Sequence, residues 1–319
     1  MNEFELIKNY FQKLSKKSPS SLRLNDDVFF NKKNRIVVSI DTYIEGNHFL
    51  DFNKPDLVIK KVIRSSISDL ICKGVRPKYY FISGSGNKKN FSKSNLLKIS
   101  KSLNEEQIKY KISLGGGDTV FSNKLSFSIT SIGFANKIIY RNKAKINDDI
   151  YVTGNLGDSY LGLLILKKKI KLSTILNKYF VKQYFMPNLQ LKLTDKIKTF
   201  ANTSIDVSDG LLADLEKMIN SQKLSYKIQL KNIPVSNNLK NLIVNKKLSK
   251  INYISNGDDY QILFTASKKK RGIIKKISSN YGIKITKIGK IYPNNKKSLI
   301  IDAKNRQINI KNKGYCHRF

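Results

Sequence analysis

The chain has 319 residues, with 60 Lys and Arg against 23 Asp and Glu and a formal net charge of +37. At the usual ~100–200 residues per domain this length favours two domains, the 40% hydrophobic content can build their cores, and no apolar run approaches the roughly 18 residues of a membrane-spanning helix. Lysine is spread through nearly every segment beside abundant Asn and Ile, as in an AT-rich genome, so the charge speaks for attraction of anions rather than for a specific nucleic-acid interface.

The opening "MNEFELIKNYFQKL" carries acids ahead of an amphipathic helical pattern and lacks the basic end and apolar centre of a signal peptide, so a cytoplasmic location is expected. "RIVVSID" is β-branched and reads as a strand, "PDLVIKKVIRSSISDLICKG" as a helix between Pro55 and Gly74, and "KYYFISGSG" as another strand. A helical stretch from Ser92 to Tyr110 leads into a short strand whose end, "LGGGDT", is expected to be a glycine turn, followed by the long strand "KLSFSITSIGF". The first domain is expected to span residues 1–147 and the second 148–319. The second opens with strand, glycine turn and helix in "DIYVTGNLGDSYLGLLIL" and contains "SIDVSDGLLADLEK", where an apolar strand is expected to pass into a helix around Asp206 and Asp209, together with "NGDDYQILFTAS" and "KITKIGKIYP". Alternation of strands and helices gives an α/β (α+β) class. Cys72 and Cys316 are far apart and have no metal-type spacing, which suits a reducing compartment.

In a chain this poor in acids, their placement carries information. Asp41, Asp69, Asp118 and Asp206 each sit among apolar or small residues, and Asp26 and Asp27 are adjacent. Isolated buried carboxylates are costly unless neutralised, and lysine is absent from their immediate sequence neighbourhoods. Magnesium, which takes oxygen ligands from one or two carboxylates plus substrate phosphates, is a ready partner. Each Asp alone also reads as a helix cap or turn former. It is the repetition across separate turns that favours metal. "LGGGDT" and "GNLGDS" offer backbone N–H groups for phosphate, but no P-loop or dinucleotide fingerprint exists, and neither His48 nor His317 lies in a nucleophile motif.

The ordered set "NDDVFF", "SIDTYIEGNHF", "SDLICKG", "GGGDT", "YRNKAKINDDIYVTGNLGDS", "DVSDGLLADL", "NGDDYQILFT" and "KGYCHRF" resembles the thiamine-monophosphate kinase family over almost the whole chain. The resemblance implies a two-domain fold like aminoimidazole-ribonucleotide synthetase, with an N-terminal dimerising domain and a C-terminal domain flanking an ATP cleft. It implies thiamine monophosphate and ATP as substrates, several Mg2+ ions and a homodimer. By the same resemblance Asp27, Ser39, Asp41, Asp69, Asp118, Asp206 and Asp209 hold magnesium. Gly117, Asp118, Arg141 and Ser208 contact the nucleotide, His48, Asp258 and Tyr315 contact the substrate, and Arg141 and Asp209 serve catalysis. Asn25, Ile40, Asn136, Lys137, Asn256, Asp258 and Gln261 depart from the family pattern, Ile40 standing where a threonine ligand is usual. Alternatives are another ATP-dependent member of the superfamily and, in a different class, a basic nucleic-acid-binding protein.

Overall fold

The computed structural model of the protein describes residues 1–295, 297–310 and 312–317. Residues 29–134 build a five-stranded sheet from β1 (Phe29–Asn31), β2 (Ile36–Ile44), β3 (Pro77–Gly86), β4 (Ser113–Phe121) and β5 (Ser126–Phe134), in the order β1-β2-β5-β3-β4. Only β3 and β4 run parallel. Their crossover carries α2 (Lys93–Tyr110), and α1 (Pro55–Cys72) lies between β2 and β3. In β5 the period of two buries Phe127, Ile129 and Ser131 and turns Ser128, Thr130 and Ile132 outward. The register carries those faces across the sheet: Ser39, Asp41 and Tyr43 pair with Ser131, Ile129 and Phe127 and share their side.

That side packs on α1. Pro55 starts this helix and Gly74, at φ +74°, follows its end. Apolar residues occupy more than one stripe, and Val58, Ile59, Val62, Ile63 and Ile67 are all fully buried, each worth about 1.5–3 kcal/mol of burial. The small residues on α1 let neighbours approach closely. Ser66 Oγ lies 2.9 Å from Ser131 Oγ of the first sheet, and Ser68 Oγ donates to Asp206 of the second at 2.8 Å.

The second sheet has six strands: β6 (Asp149–Thr153), β7 (Ala201–Asp206), β8 (Leu224–Gln229), β9 (Ile262–Ala266), β10 (Ile285–Pro293) and β11 (Leu299–Ile301), ordered β11-β8-β10-β6-β9-β7. Helices α3 (Asp158–Leu166), α4 (Thr174–Phe185), α5 (Leu211–Met218), α6 (Asn237–Asn245) and α7 (Arg271–Tyr281) surround it. One face, with Ile150, Val152 and Leu263, packs on Leu211, Leu212 and Leu215 of α5. The other, with Tyr151 stacked on Phe264 at 5.2 Å, joins the core under α1 that also holds Phe127 and Ile129. One core therefore runs through both sheets, and α1 is its shared wall. The segments around Glu3 and His317 also meet, the Glu3 N–H donating to the His317 carbonyl at 3.2 Å. Among the described residues no helix is long and apolar enough to cross a membrane.

The glycines of "LGGGDT" do not form the expected turn. They lie inside β4, where a Cβ on Gly117 would sit 1.9 Å from the Ile82 carbonyl oxygen, so glycine serves here to bring two parallel strands close.

Candidate active site

The segment 206–210 leaves β7 and turns into α5 through Gly210 at φ +129°, a conformation that L side chains rarely adopt. Asp214, fully buried in the first turn of α5, accepts the backbone N–H groups of Asp209 and Gly210 at 2.9 and 3.0 Å, closing the turn from below. Two other segments are laced to its backbone. Asp258 N–H donates to the Ser208 carbonyl at 2.8 Å, and Tyr315 N–H donates to the Asp209 carbonyl at 2.9 Å. Gly257 allows the first contact, since a Cβ there would lie 2.0 Å from the Ser208 oxygen. Ser208, Asp209, Asp258 and Tyr315 thus belong to one assembly although they come from three parts of the sequence.

Against this turn stand carboxylates from both sheets. Asp41 projects from β2 on the buried side beside Ser39, whose hydroxyl donates to the Ser66 carbonyl at 3.3 Å. Asp69 comes from α1 and Asp206 from the end of β7. Desolvation pushes Asp41 up to about 6, against hydrogen bonds from Tyr43 and Ser66. Desolvation and then the charge of Asp214 carry Asp206 up to about 7, against the Ser68 hydrogen bond. Asp69 is held well above the usual carboxylate range by desolvation and by the charges of Asp41 and Asp206. Carboxylates that repel one another in this way ask for a cation. Among the described residues no three acids, histidines or cysteines close on a single metal position; carboxylate oxygens are the ligand type magnesium takes, with water and phosphate filling the rest of its shell.

Asp26 and Asp27 are different, because the structure supplies their counter-charges. Lys73, fully buried at the end of α1, places Nζ 2.7 Å from Asp26 Oδ1 and 2.7 Å from Asp27 Oδ2. Arg141 donates its backbone N–H to Asp26 Oδ2 at 2.9 Å and Nε–H to Asp27 Oδ2 at 3.2 Å, and its guanidinium also pairs with Asp27 Oδ1. The absence of lysine near the acids thus holds only along the sequence. Lys217 likewise pairs with Asp209 and, at 3.1 Å, with Asp214.

The three expected substrate residues share a second cluster. His48 lies 5.8 Å from the Tyr43 ring and 5.4 Å from His317, which meets Tyr315 edge-on at 4.9 Å. Desolvation and the neighbouring His317 lower the His48 pKa, and its Nδ1 accepts the Ile44 N–H at 3.0 Å. Asp258, at φ +61°, accepts from Tyr260 at 3.1 Å and pairs at 2.8 Å with Lys61, which is buried over the Tyr184 ring. Tyr43, two residues beyond Asp41, links the rings to the acids.

Asp118 and Gly117 stand apart. Asp118 is exposed and aligns with Ser83, Ser128 and Thr42 on the sheet face opposite Asp41. Ile40 is turned to that face too, 69% exposed. Gln261 joins a buried network with Thr153 and Gln190. Sequence reasoning missed Lys61, Lys73, Ser68, Asp214, Lys217 and the role of His317 beside Tyr315. Two had signals: Lys73 follows Asp69 by four residues and Lys217 follows Asp214 by three, both neighbour spacings on a helix. The Arg318 and Phe319 of "KGYCHRF" lie outside the described residues.

Residues 25–135 match the family described as AIR synthase related protein, N-terminal domain. The match spans the whole first sheet, and acids with an aromatic cluster gather where that sheet meets the second, so the chain carries a domain of the AIR synthase related class joined to a second mixed-sheet unit. Thiamine-monophosphate kinase of Buchnera aphidicola subsp. Acyrthosiphon pisum is 34% identical over 99% of this chain and 98% of its own. That of Bacillus subtilis is 28% identical over 99% of both. A solved structure of AaThiL complexed with AMPPCP and TMP superposes with a TM-score of 0.84 at 26% identity, covering 99% of this chain and 97% of that one. The chain belongs to the thiamine-monophosphate kinase family.

Proposed function

We infer that the protein transfers the γ-phosphoryl group of ATP to thiamine monophosphate, forming thiamine diphosphate with the help of magnesium. The observation that carries this is the lacing of a repelling carboxylate group and an aromatic cluster to one turn, residues 206–210. The kinship with kinases of this name, and with a structure holding an ATP analogue and TMP, supports it.

Asp41, Asp69 and Asp206 would hold magnesium, with Ser39 and Asp209 at the margins. When bound, the ions screen the carboxylates and offset charge on the transferring phosphoryl group. The His48, His317 and Tyr315 rings would enclose the aromatic part of the acceptor, with Asp258 held in place by Lys61. The acceptor is already an anionic phosphate, so no general base is required and alignment carries most of the work. Ser208 would contact the nucleotide through its fixed turn. Arg141 would reach the phosphates only by sharing its guanidinium with Asp27. We read residues 1–147 and 148–319 as the two domains, and the cytoplasm as the setting.

We also propose a homodimer. The outer face of the first sheet exposes Phe29, Ile40, Tyr79, Phe81 and Phe134 together, an apolar surface of the kind that is normally covered. A second copy is the occupant the family resemblance suggests. Asp118 lies on that face, so any part it or Gly117 takes in phosphate binding would be taken there.

The test is incubation of the purified protein with ATP, magnesium and thiamine monophosphate, followed by chromatography of the thiamine phosphates. Thiamine diphosphate in amounts equal to the ADP formed is expected. ADP without it would refute the acceptor.

A further inference from the structure

The expectation that Asp27 binds magnesium meets an obstacle in its surroundings. Asp26 and Asp27 carry two negative charges, and Lys73 and Arg141 carry two positive ones, so the quartet is neutral. It is also saturated. Both Asp26 oxygens and both Asp27 oxygens already accept from Lys73, Arg141 or the Asp27 N–H. The ammonium is held from its third side as well, donating to the Ser204 carbonyl at 2.8 Å, so three donors meet three acceptors. The side chains are 0% exposed for Lys73, 4% for Asp26, 8% for Asp27 and 12% for Arg141. A divalent ion entering here would bring excess positive charge to a buried neutral group and would have to break charge-assisted hydrogen bonds. Asp41 and Asp206 present the contrast: they are met by hydroxyl hydrogen bonds, from Tyr43 and Ser66 and from Ser68, and Lys73 acts on Asp206 and on Asp69 through its charge, with no ion pair to either.

We propose that Lys73 is a built-in cation occupying the seat between Asp26 and Asp27, so that in this chain the pair holds an ammonium instead of a divalent metal. Lys73 then acts as a positioning residue. It fixes the two carboxylates that hold Arg141 at the cleft, and it does so whether or not metal is bound. The proposal rests on the magnesium-dependent reading above only in saying which carboxylates are left to the ions.

Binding of Mn2+ alone, a stand-in for magnesium at oxygen sites, can be counted from the loss of the free-ion electron paramagnetic resonance signal. The number of ions bound by the unmodified protein is expected to be the same in an Asp26→Asn, Asp27→Asn double variant. Lys73→Met is expected to bind one ion more, and to lose it again when combined with that double substitution. A purely structural lysine would not move this count. Loss of an ion from the Asn double variant, or no gain in Lys73→Met, would overturn the proposal. If Lys73→Met fails to fold, the comparison of unmodified protein with the Asn double variant still decides. A failure of the magnesium reading gives a different result: the unmodified protein would bind no Mn2+ at all, while the gain in Lys73→Met would remain.

Discussion

Asp41 and Asp206, raised to about 6 and about 7, retain protons that an unfolded chain would release near pH 4. Between those values the metal-free folded state binds more protons than the unfolded state. Its stability is therefore greatest at the acid end of the window and falls as pH rises through about 4 to 7. Thermal melting in chelator should show the melting temperature declining across this range from these groups, and saturating magnesium should flatten the decline. A rise in chelator, or no effect of magnesium, would contradict the account. Asp206→Asn removes one of the repelling charges while keeping an acceptor for Ser68. At pH 8 the variant should melt higher than the unmodified protein in chelator, yet lose on the order of 10²–10³-fold in kcat, the scale seen when one transition-state electrostatic contact is removed.

At the scale of elements, the site depends on turns that side chains would spoil. Gly257→Ala would place a Cβ against the Ser208 carbonyl at φ +70°. It should cost more than about 1 kcal/mol of stability in denaturant unfolding and raise KM for the acceptor, because Asp258 hangs from the same contact. The strand-like "RIVVSID" and the helix between Pro55 and Gly74 were legible in the sequence because periodicity and breakers act locally. So was the passage from strand to helix around Asp206 and Asp209. The glycines of β4 were not, since a glycine required by strand approach looks the same in sequence as one required by a turn. The adjacent Asp26 and Asp27 ask for a cation nearby, and that the chain itself supplies it as Lys73 was hidden for a related reason. Lys73 is 46 residues or more away along the chain and reaches them only because α1 ends beside that loop. The role of His317 was hidden because its ring partner His48 lies at the other end of the chain.

On the scale of the whole molecule, a net charge of +37 surrounds a cleft that gathers Asp41, Asp69, Asp206, Asp209 and Asp214. Two anionic substrates would approach through an attractive field and meet negative charge only where ions are held. Accordingly kcat/KM for thiamine monophosphate should fall as ionic strength rises beyond the range where the Debye length is about 10 Å, with kcat changing less. The exposed apolar face predicts association as well. Ile40→Glu combined with Phe81→Glu alters side chains that are 69% and 39% exposed, so light scattering should report a folded monomer in place of a dimer. An unchanged mass would remove this face from the interface.

The most direct test of the site is a crystal structure with Mn2+, a non-hydrolysable ATP analogue and thiamine monophosphate, with the metal located by anomalous scattering. Manganese is expected among Asp41, Asp69 and Asp206, between the nucleotide phosphates and an acceptor ring lodged by His48 and Tyr315, with Lys73 still seated on Asp26 and Asp27. Manganese absent from those three carboxylates, or an acceptor bound away from the ring cluster, would contradict it.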